Sequence, residues 1–540
     1  MTVKRISIIV WISILVAWIF DQLFWQKAPG ISFPILVAAA LAAGYIILRS
    51  EGKTIALSTW LLLPPIIFFS VMFTYRSEEL TRAIDVLMTL LLVLIMGQTA
   101  TGGRWWVYSF SDYVVKSLHM MISTLSGVLM VWINGHKKAP GENGEEAIPE
   151  KKASVNGWAV IRGILLALPI VLVLAALLAA GDPVFNQHYQ EFLDLLDIDN
   201  LPEYLFRLFY ILILGYMLAG AYIHAVNQSH DTKLIGEEKP WMSAFLGHTE
   251  AFIILGAVNA LFFTFILIQV NYLFGGNANI HADGYTYAEY ARKGFTELLV
   301  VAVISLLLLQ VISAITHRTT KTQASVFSGL SIGLVTLVIV ILISAFQRLN
   351  MYMNVYGFTR IRVYSETFMI WLAVLLLATA VLELIRRERF FAFACLLTAI
   401  GFAATINVIN VDHQIAAANI QRAMLGEDLD AEYLATLSDD IVPYMVDTYQ
   451  ANNAVSARAG GVLRCWIEGN TPPEEAYRQN QGNTYWEAYH FGKTAAWQAV
   501  EPIEKELKNA YPLHEDTENY QQYILVNGTR INCPGWGGWD

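Results

Sequence analysis

Apolar residues in this chain fall into eleven runs of roughly 18 to 25 positions, and a helix of about 20 residues suffices to cross a bilayer core about 30 Å thick. Short charged or glycine-containing breaks separate them. The predicted spans are Ile6–Phe24, Ile31–Leu48, Ile55–Tyr75, Ala83–Ala100, Val155–Ala180, Leu205–Val226, Ala251–Phe274, Phe295–Thr316, Val326–Phe346, Val363–Leu384 and Phe390–Val408. A twelfth apolar stretch, Trp105–Asn134, has a different pattern. Ser109, Asp112, Lys116, His119, Ser123 and Ser126 recur every three or four positions, opposite Trp106, Tyr113, Val114, Met121 and Leu125. That stripe predicts an amphipathic helix in the membrane interface, with Trp105 and Trp106 as anchors; the competing reading is a span whose stripe lines a watery cavity.

After Asp412 the pattern changes to short amphipathic helices. Ile415, Asn419 and Arg422 recur at helical spacing behind the acidic Asp412, a second helix passes through Tyr433, Leu434 and Leu437, and Ser438 or Asp439 caps a third reaching Tyr449. A fourth covers Trp486–Leu507. The expected fold is all-α: a polytopic transmembrane bundle with a soluble carboxyl-terminal helical domain. Its expected parts are spans one to four at 1–103, the interfacial helix at 104–135, a Pro-, Gly- and charge-rich linker at 136–152, spans five to eleven at 153–408, the helical domain at 409–515 and a flexible end at 516–540.

Composition agrees: 56 % of residues are hydrophobic and 15 % charged, where soluble domains approach about a quarter charged. Charge fixes the expected orientation. With the amino terminus in the cytoplasm, 17 basic residues fall on the cytoplasmic side of the membrane and 8 on the outer side, and the odd span count leaves the carboxyl-terminal domain extracytoplasmic. The run behind Lys4 and Arg5 is too long for a signal peptide and has no cleavage site, so it reads as the first span. From Asp412 onward 19 acidic residues face 8 basic ones, so the chain's net charge of −10 resides there. Cys465 and Cys533 lie in that domain, either joined in one disulfide or as two thiols, and Cys395 lies in a span.

Motifs of known chemistry fail on context. Gly329-Leu-Ser331-Ile-Gly333 has the spacing of a hydrolase nucleophile elbow but opens an apolar span, where small residues four apart admit a close helix instead. Gly492-Lys493-Thr494 lacks the glycine five positions upstream that a phosphate loop needs. No Cys or His pair has zinc spacing, and the first outer loop, Trp25–Gly30, lacks the paired carboxylates of multispan glycosyl-transfer enzymes. No catalytic residue, metal, cofactor or nucleic-acid contact is read from the chain.

Ionisable residues inside spans are the stronger signal: Asp85, Arg162, Arg207, Glu250, Glu297, Glu366 and Glu383 must pair or meet water. Arg162 and Arg207, on consecutive spans, are the candidates for an intramembrane polar path. The loop Gln347–Arg362 carries Arg348, Tyr356, Arg360 and Arg362 ahead of Glu366. As an anion site it would hold a lipid or glycan phosphate; the favoured reading is internal, with an Arg362–Glu366 pair and arginines docking the acidic domain. Asp412, Asn419 and Arg422 are the candidate coupling residues on the other side.

The run Tyr356-Gly357-Phe358-Thr359-Arg360-Ile361-Arg362, the series Asp412, Ile415, Ala416, Asn419, Ile420 and Arg422, the series Asp430, Tyr433, Leu434, Leu437, Ser438, Asp440 and Pro443, and the stretch Trp486–Ala495 resemble a bacterial family of polytopic membrane proteins defined by a domain of unknown function. The resemblance covers about 60 to 510 and is strongest from 347 to 445. It implies an inner-membrane protein and carries no activity. The expected function is therefore a non-enzymatic envelope role in sensing, partner binding or assembly, with the bilayer and an envelope protein or anionic lipid or glycan as partners. A secondary transporter is the alternative, and an enzyme acting on lipid-linked substrates comes third.

Overall fold

The computed structural model describes residues 3–135, scattered positions between 167 and 189, and residues 201–230, 233–234, 244–273, 294–470, 486–516 and 521–533. Ten helices among them are long and apolar enough to cross a membrane. They are α1 (Val3–Phe24), α2 (Ser32–Ser50), the pair α3 (Leu57–Trp60) and α4 (Leu63–Tyr75) counted as one, α5 (Glu79–Gln98), α7 (Leu201–Asn227), α8 (His248–Leu273), α9 (Phe295–Ile315), α10 (Lys321–Tyr356), α11 (Arg360–Leu384) and α12 (Phe391–Ile409). The expected span Val155–Ala180, Arg162 within it and the linker 136–152 lie outside the described residues or nearly so. The chain is a polytopic all-α membrane protein.

Local chemistry sets the breaks. Pro64 and Pro65 start α4, where a missing N–H costs nothing, so span three is two helices meeting at Leu61–Leu62. Thr320 and Gln323 form a capping box at the head of α10. That helix runs for 36 residues, about 54 Å, so it outlasts the hydrocarbon core by several turns. Most of the expected loop 347–362 is thus helix, and the turn is confined to Gly357, Phe358 and Thr359.

Span ends sort onto two faces. On one, Ile31 N–H donates to Tyr489, Trp25 Nε1 donates to Glu203, and the 354–360 turn meets the carboxyl-terminal domain. On the other, Ala56 N–H donates to Ala100, Gly102 N–H to Ser229, and Leu246 bridges Thr316. Helix α5 ends on this far face and α7 begins beside Trp25.

Helix α6 (Phe110–Gly135) is not among the ten, yet it packs lengthwise on α7: Ser123 Oγ lies 2.6 Å from His224 Nδ1, Tyr216 hydroxyl bonds the Leu125 carbonyl, and Gly220 admits the Thr124 backbone. Ser123, expected to look out to water, faces protein, while Val114, Leu118, Met121, Ile122 and Leu125 are exposed. Trp105 is buried against Phe393 and donates to the Ser58 carbonyl, so it anchors to protein rather than lipid.

The carboxyl-terminal domain comprises α13 (Val411–Met424), α14 (Ala431–Ala435), α15 (Val442–Gln450), α16 (Ser456–Gly469), α17 (Phe491–Val500) and α18 (Glu504–Ala510), with an antiparallel sheet ordered β1-β2-β3 at Leu513–Glu515, Gln522–Val526 and Thr529–Asn532. Two expectations are corrected. Trp486–Leu507 is broken at His490, which caps α17, and again around Pro502. Part of 516–540 is a hairpin, Ile524 opposite Ile531, turned by Asn527-Gly528 with positive φ at both. Cys465 and Cys533 form a disulfide that ties this sheet to α16. One continuous core runs from Val363 and Ile406 in the membrane helices through Ile415, Met445 and Leu463 to Ile524.

Candidate functional site

Polar groups converge where the bundle meets the carboxyl-terminal domain. The turn after α10 requires Gly357: its φ is +80°, and a Cβ there would lie 2.7 Å from Asn419 Oδ1. The Asn419 amide holds the next peptide both ways, accepting from Phe358 N–H at 2.8 Å and donating to Phe358 O at 2.9 Å. Arg422 donates to the Asn354 and Val355 carbonyls at 3.1 and 2.9 Å, so a cation caps the otherwise unsatisfied end of α10.

Arg360 begins α11 and reaches across to α13. Its Nε and one Nη donate to the two oxygens of Asp412 at 2.8 and 2.6 Å, a bidentate fork. Asp412 is fully buried and also accepts from Ser438 N–H at 2.7 Å. Arg360 N–H donates to the Tyr433 hydroxyl, and its guanidinium lies 3.9 Å from Glu78. Glu78 caps α5, accepting from Leu80 and Thr81 N–H, and receives the Tyr364 hydroxyl as well. Buried charge is thus matched by donors on α5, α11 and the Ser438 turn.

A second contact lies beside it. Arg76 Nε donates to Asn407 O, Asn407 donates to buried Asp85, and Ser77 N–H donates to Asp440 at 3.2 Å. Burial pushes the Asp440 carboxyl up to about 7, with the Arg76 charge and Ser77 N–H pulling it back and Asp412 and Asp439 adding to the rise. Burial, then the charges of Arg82 and Lys493, hold His490 down to about 4. Its Nδ1 accepts from Lys493 N–H and its Nε2 lies 3.2 Å from the Arg76 carbonyl, an arrangement suited to the neutral ring. Tyr75 stacks on Phe491 at 4.5 Å, and Gly492 leaves room for the Tyr75 carbonyl. Lys27 pairs with Glu487 at 2.6 Å.

Other sequence candidates sit apart from this junction. Arg362 turns back to the Tyr356 and Gly357 carbonyls and over the Tyr352 ring rather than to Glu366. Arg348 donates to Gln269 at 2.6 Å, and Tyr356 packs on Tyr352. Arg207 is neutralised by Asp21 at 2.5 Å, with the Tyr210 hydroxyl on the same carboxylate, so it anchors α7 to α1. Gly333 approaches Asn259 of α8 closely while Gly329 faces open space, and no described histidine bonds Ser331. Glu78, Tyr364, Asp440 and His490 were not singled out as site residues. Asp440 and His490 fell within quoted motifs; Glu78 and Tyr364 become visible only when distant segments are brought together. Asp412 and Glu78 are saturated by donors, which favours a structural lock at Arg360, whereas Asp85 keeps one buried oxygen without a hydrogen bond. Among the described residues no three His, Cys, Asp or Glu are grouped to hold a metal.

The model of a domain of unknown function (DUF4153) matches residues 63–448, more than two thirds of the chain, from the start of α4 into α15. The matched stretch contains Glu78, Gly357, Arg360, Asp412, Asn419, Arg422 and Asp440 together. No curated protein and no solved structure matches the chain.

Proposed function

The chain belongs to the DUF4153 family, whose shared domain has no known function, and on that premise we propose a non-enzymatic envelope protein in which the carboxyl-terminal domain binds a partner and the Arg360 junction relays that event to the membrane bundle. The observation that carries this reading is the Arg360–Asp412 fork, because it ties the buried start of the domain to two membrane helices through a single guanidinium. Ion pairs of this kind make two-state locks: intact they hold one arrangement, and broken they leave a buried charge that favours another.

We place the protein in the bacterial inner membrane with its amino terminus cytoplasmic and the carboxyl-terminal domain on the exported side. Two observations support that orientation: the excess of basic residues on the far face, and the Cys465–Cys533 disulfide, which belongs to an oxidising compartment. Transport, the alternative, draws on helices broken near the midplane. Among the described residues the break between α3 and α4 lies at the far face instead, beside Thr99 and Gly103.

The test is hydrogen exchange on the full chain in nanodiscs with and without the Arg360→Ala change, followed by site-specific photocrosslinking from the exposed Leu425 and Trp486 in intact cells. Coupling predicts that the change alters exchange on both sides of the junction and alters the crosslinks. Unchanged exchange in α5 and α11 together with unchanged crosslinks would refute it.

A further inference from the structure

A groove of about 740 Å³ opens between α9, α11 and α12, well away from the junction. Leu307, Trp371, Ala399 and Phe402 give it apolar walls. Gly401 makes room for the Trp371 indole at its deep end, and the indole N–H is satisfied by Thr405 at 3.0 Å. The interior therefore presents carbon.

Its mouth is different. Ser109, Gln310, Glu388 and Arg389 line the end nearest the far face. Glu388 is neutralised by Arg318 at 2.6 Å and bonded by Ser313. Arg389 is not so fully matched: its Nε donates to the Val107 carbonyl, and one Nη is buried, 3.7 Å from Asp112, without a hydrogen-bond partner. The side chain is still 31 % exposed, and exposed Arg386 and Arg387 precede it. Arg318 is shared with Glu383 at 3.6 Å, so with Asp112, Glu383 and Glu388 set against Arg318 and Arg389, the flanking Arg386 and Arg387 give the mouth one surplus positive charge.

The length fits one leaflet. Along α12 the groove runs from Phe391 to Phe402, about 17 Å of helix, against about 15 Å for half a hydrocarbon core. We propose that this groove binds an anionic glycerophospholipid, with one acyl chain along α12 between α9 and α11 and the phosphate at Arg389. A chain in the groove buries apolar surface that would otherwise face loosely packed lipid, and the exposed part of the guanidinium, away from Asp112, meets the phosphate. Guanidinium–phosphate pairing gives the preference for a negative head group; the apolar walls supply contact that any lipid would share.

The test is native mass spectrometry of the full chain, delipidated in detergent and then offered equal dioleoyl phosphatidylglycerol and dioleoyl phosphatidylcholine. The wild type should retain phosphatidylglycerol about tenfold over phosphatidylcholine, and Arg389→Gln should reduce that ratio to about one, as expected for loss of one charged contact of about 1.4 kcal/mol. Ala399→Phe fills the groove and should abolish retention of both. Equal retention of the two lipids by the wild type would mark annular lipid only and overturn the site, as would undiminished retention by Ala399→Phe. Should that variant misfold, Cys395 in the groove wall, the free thiol among the described residues, provides the second readout. Its alkylation by N-ethylmaleimide in the wild type should slow several-fold on adding phosphatidylglycerol, and an unchanged rate would overturn the proposal.

Discussion

Replacing Arg360 with alanine would leave Asp412 with the Ser438 N–H as its remaining donor among the described residues, in a position with no solvent access. Breaking a buried pair from one side costs about 3–5 kcal/mol, because the partner's charge stays buried and unmatched. Arg360 is itself about one-third exposed, so water screens part of the interaction, and the lower end, about 3 kcal/mol, applies. Glu78 loses a cation at 3.9 Å but keeps the Leu80 and Thr81 amides and the Tyr364 hydroxyl, so it adds little. Every 1.4 kcal/mol is a factor of ten, so protection of the α13 and α14 amides against exchange should fall about a hundredfold in nanodiscs at neutral pH. The double change Arg360→Met with Asp412→Leu removes both charges and should recover at least about 2 kcal/mol of that loss. Protection within a factor of two of wild type in Arg360→Ala, or a double variant as unprotected as the single one, would refute the reasoning.

Four further outcomes follow from neighbouring features. Cys465→Ser should lower the stability of the carboxyl-terminal domain by about 4 kcal/mol, the chain-entropy value for a closed loop of 68 residues, read as a reducing-agent-sensitive melting temperature that the variant no longer shows. In permeabilised cells an impermeant maleimide should label Cys533 only after reduction; labelling confined to lysed cells would reverse the orientation. Asp440 and His490 should give opposite pH slopes. A carboxyl raised from 3.8 to about 7 stabilises the docked state below about 4 and loses that contribution as pH rises through 7, whereas a histidine lowered from 6.5 to about 4 contributes above 6.5 and loses it as pH falls through 4. Thus Asp440→Asn should leave stability rising with pH between 4 and 6.5, and His490→Gln should leave it falling between 4 and 7, in denaturant titrations of the full chain. Finally, Gly357→Ala should cost about 1–3 kcal/mol through its left-handed φ and the crowding of Asn419, and a neutral result would mean the turn adopts another path.

The membrane spans were legible because burial in lipid is written in composition: runs such as Phe295–Ile315 need no partner to be recognised. The extent of α10 was not, since Gln347–Tyr356 leaves the apolar zone and its polar and aromatic residues read as a loop; its helicity depends on Arg422, 66 positions beyond Tyr356, capping its carbonyls. Helix α16 was hidden by Gly460-Gly461, which local propensity counts against a helix but which admit the Tyr449 and Tyr511 rings and Val526. The hairpin was legible and went unread: Asn527-Gly528 between Gln522–Val526 and Thr529–Asn532 is a strong turn signal. In the junction, the sequence displayed Arg360 and Asp412, but their pairing depends on α11 and α13 meeting around Asn410. Arg207 misled because its partner, Asp21, sits at the far end of α1.

The loop leaving the first span is held by residues made much later in synthesis: Lys27 pairs with Glu487, 460 positions later, and Ile31 bonds Tyr489. The first loop is therefore closed late in biogenesis. The earliest hairpin must wait, inserted but unclasped, until the carboxyl-terminal domain has emerged on the same side and folded onto it. A ribosome that stops short of residue 487 leaves a membrane bundle with Gly30 and Tyr75 uncovered at once, so the cell's proteases are offered an unfinished chain at two points rather than a truncated but tidy one.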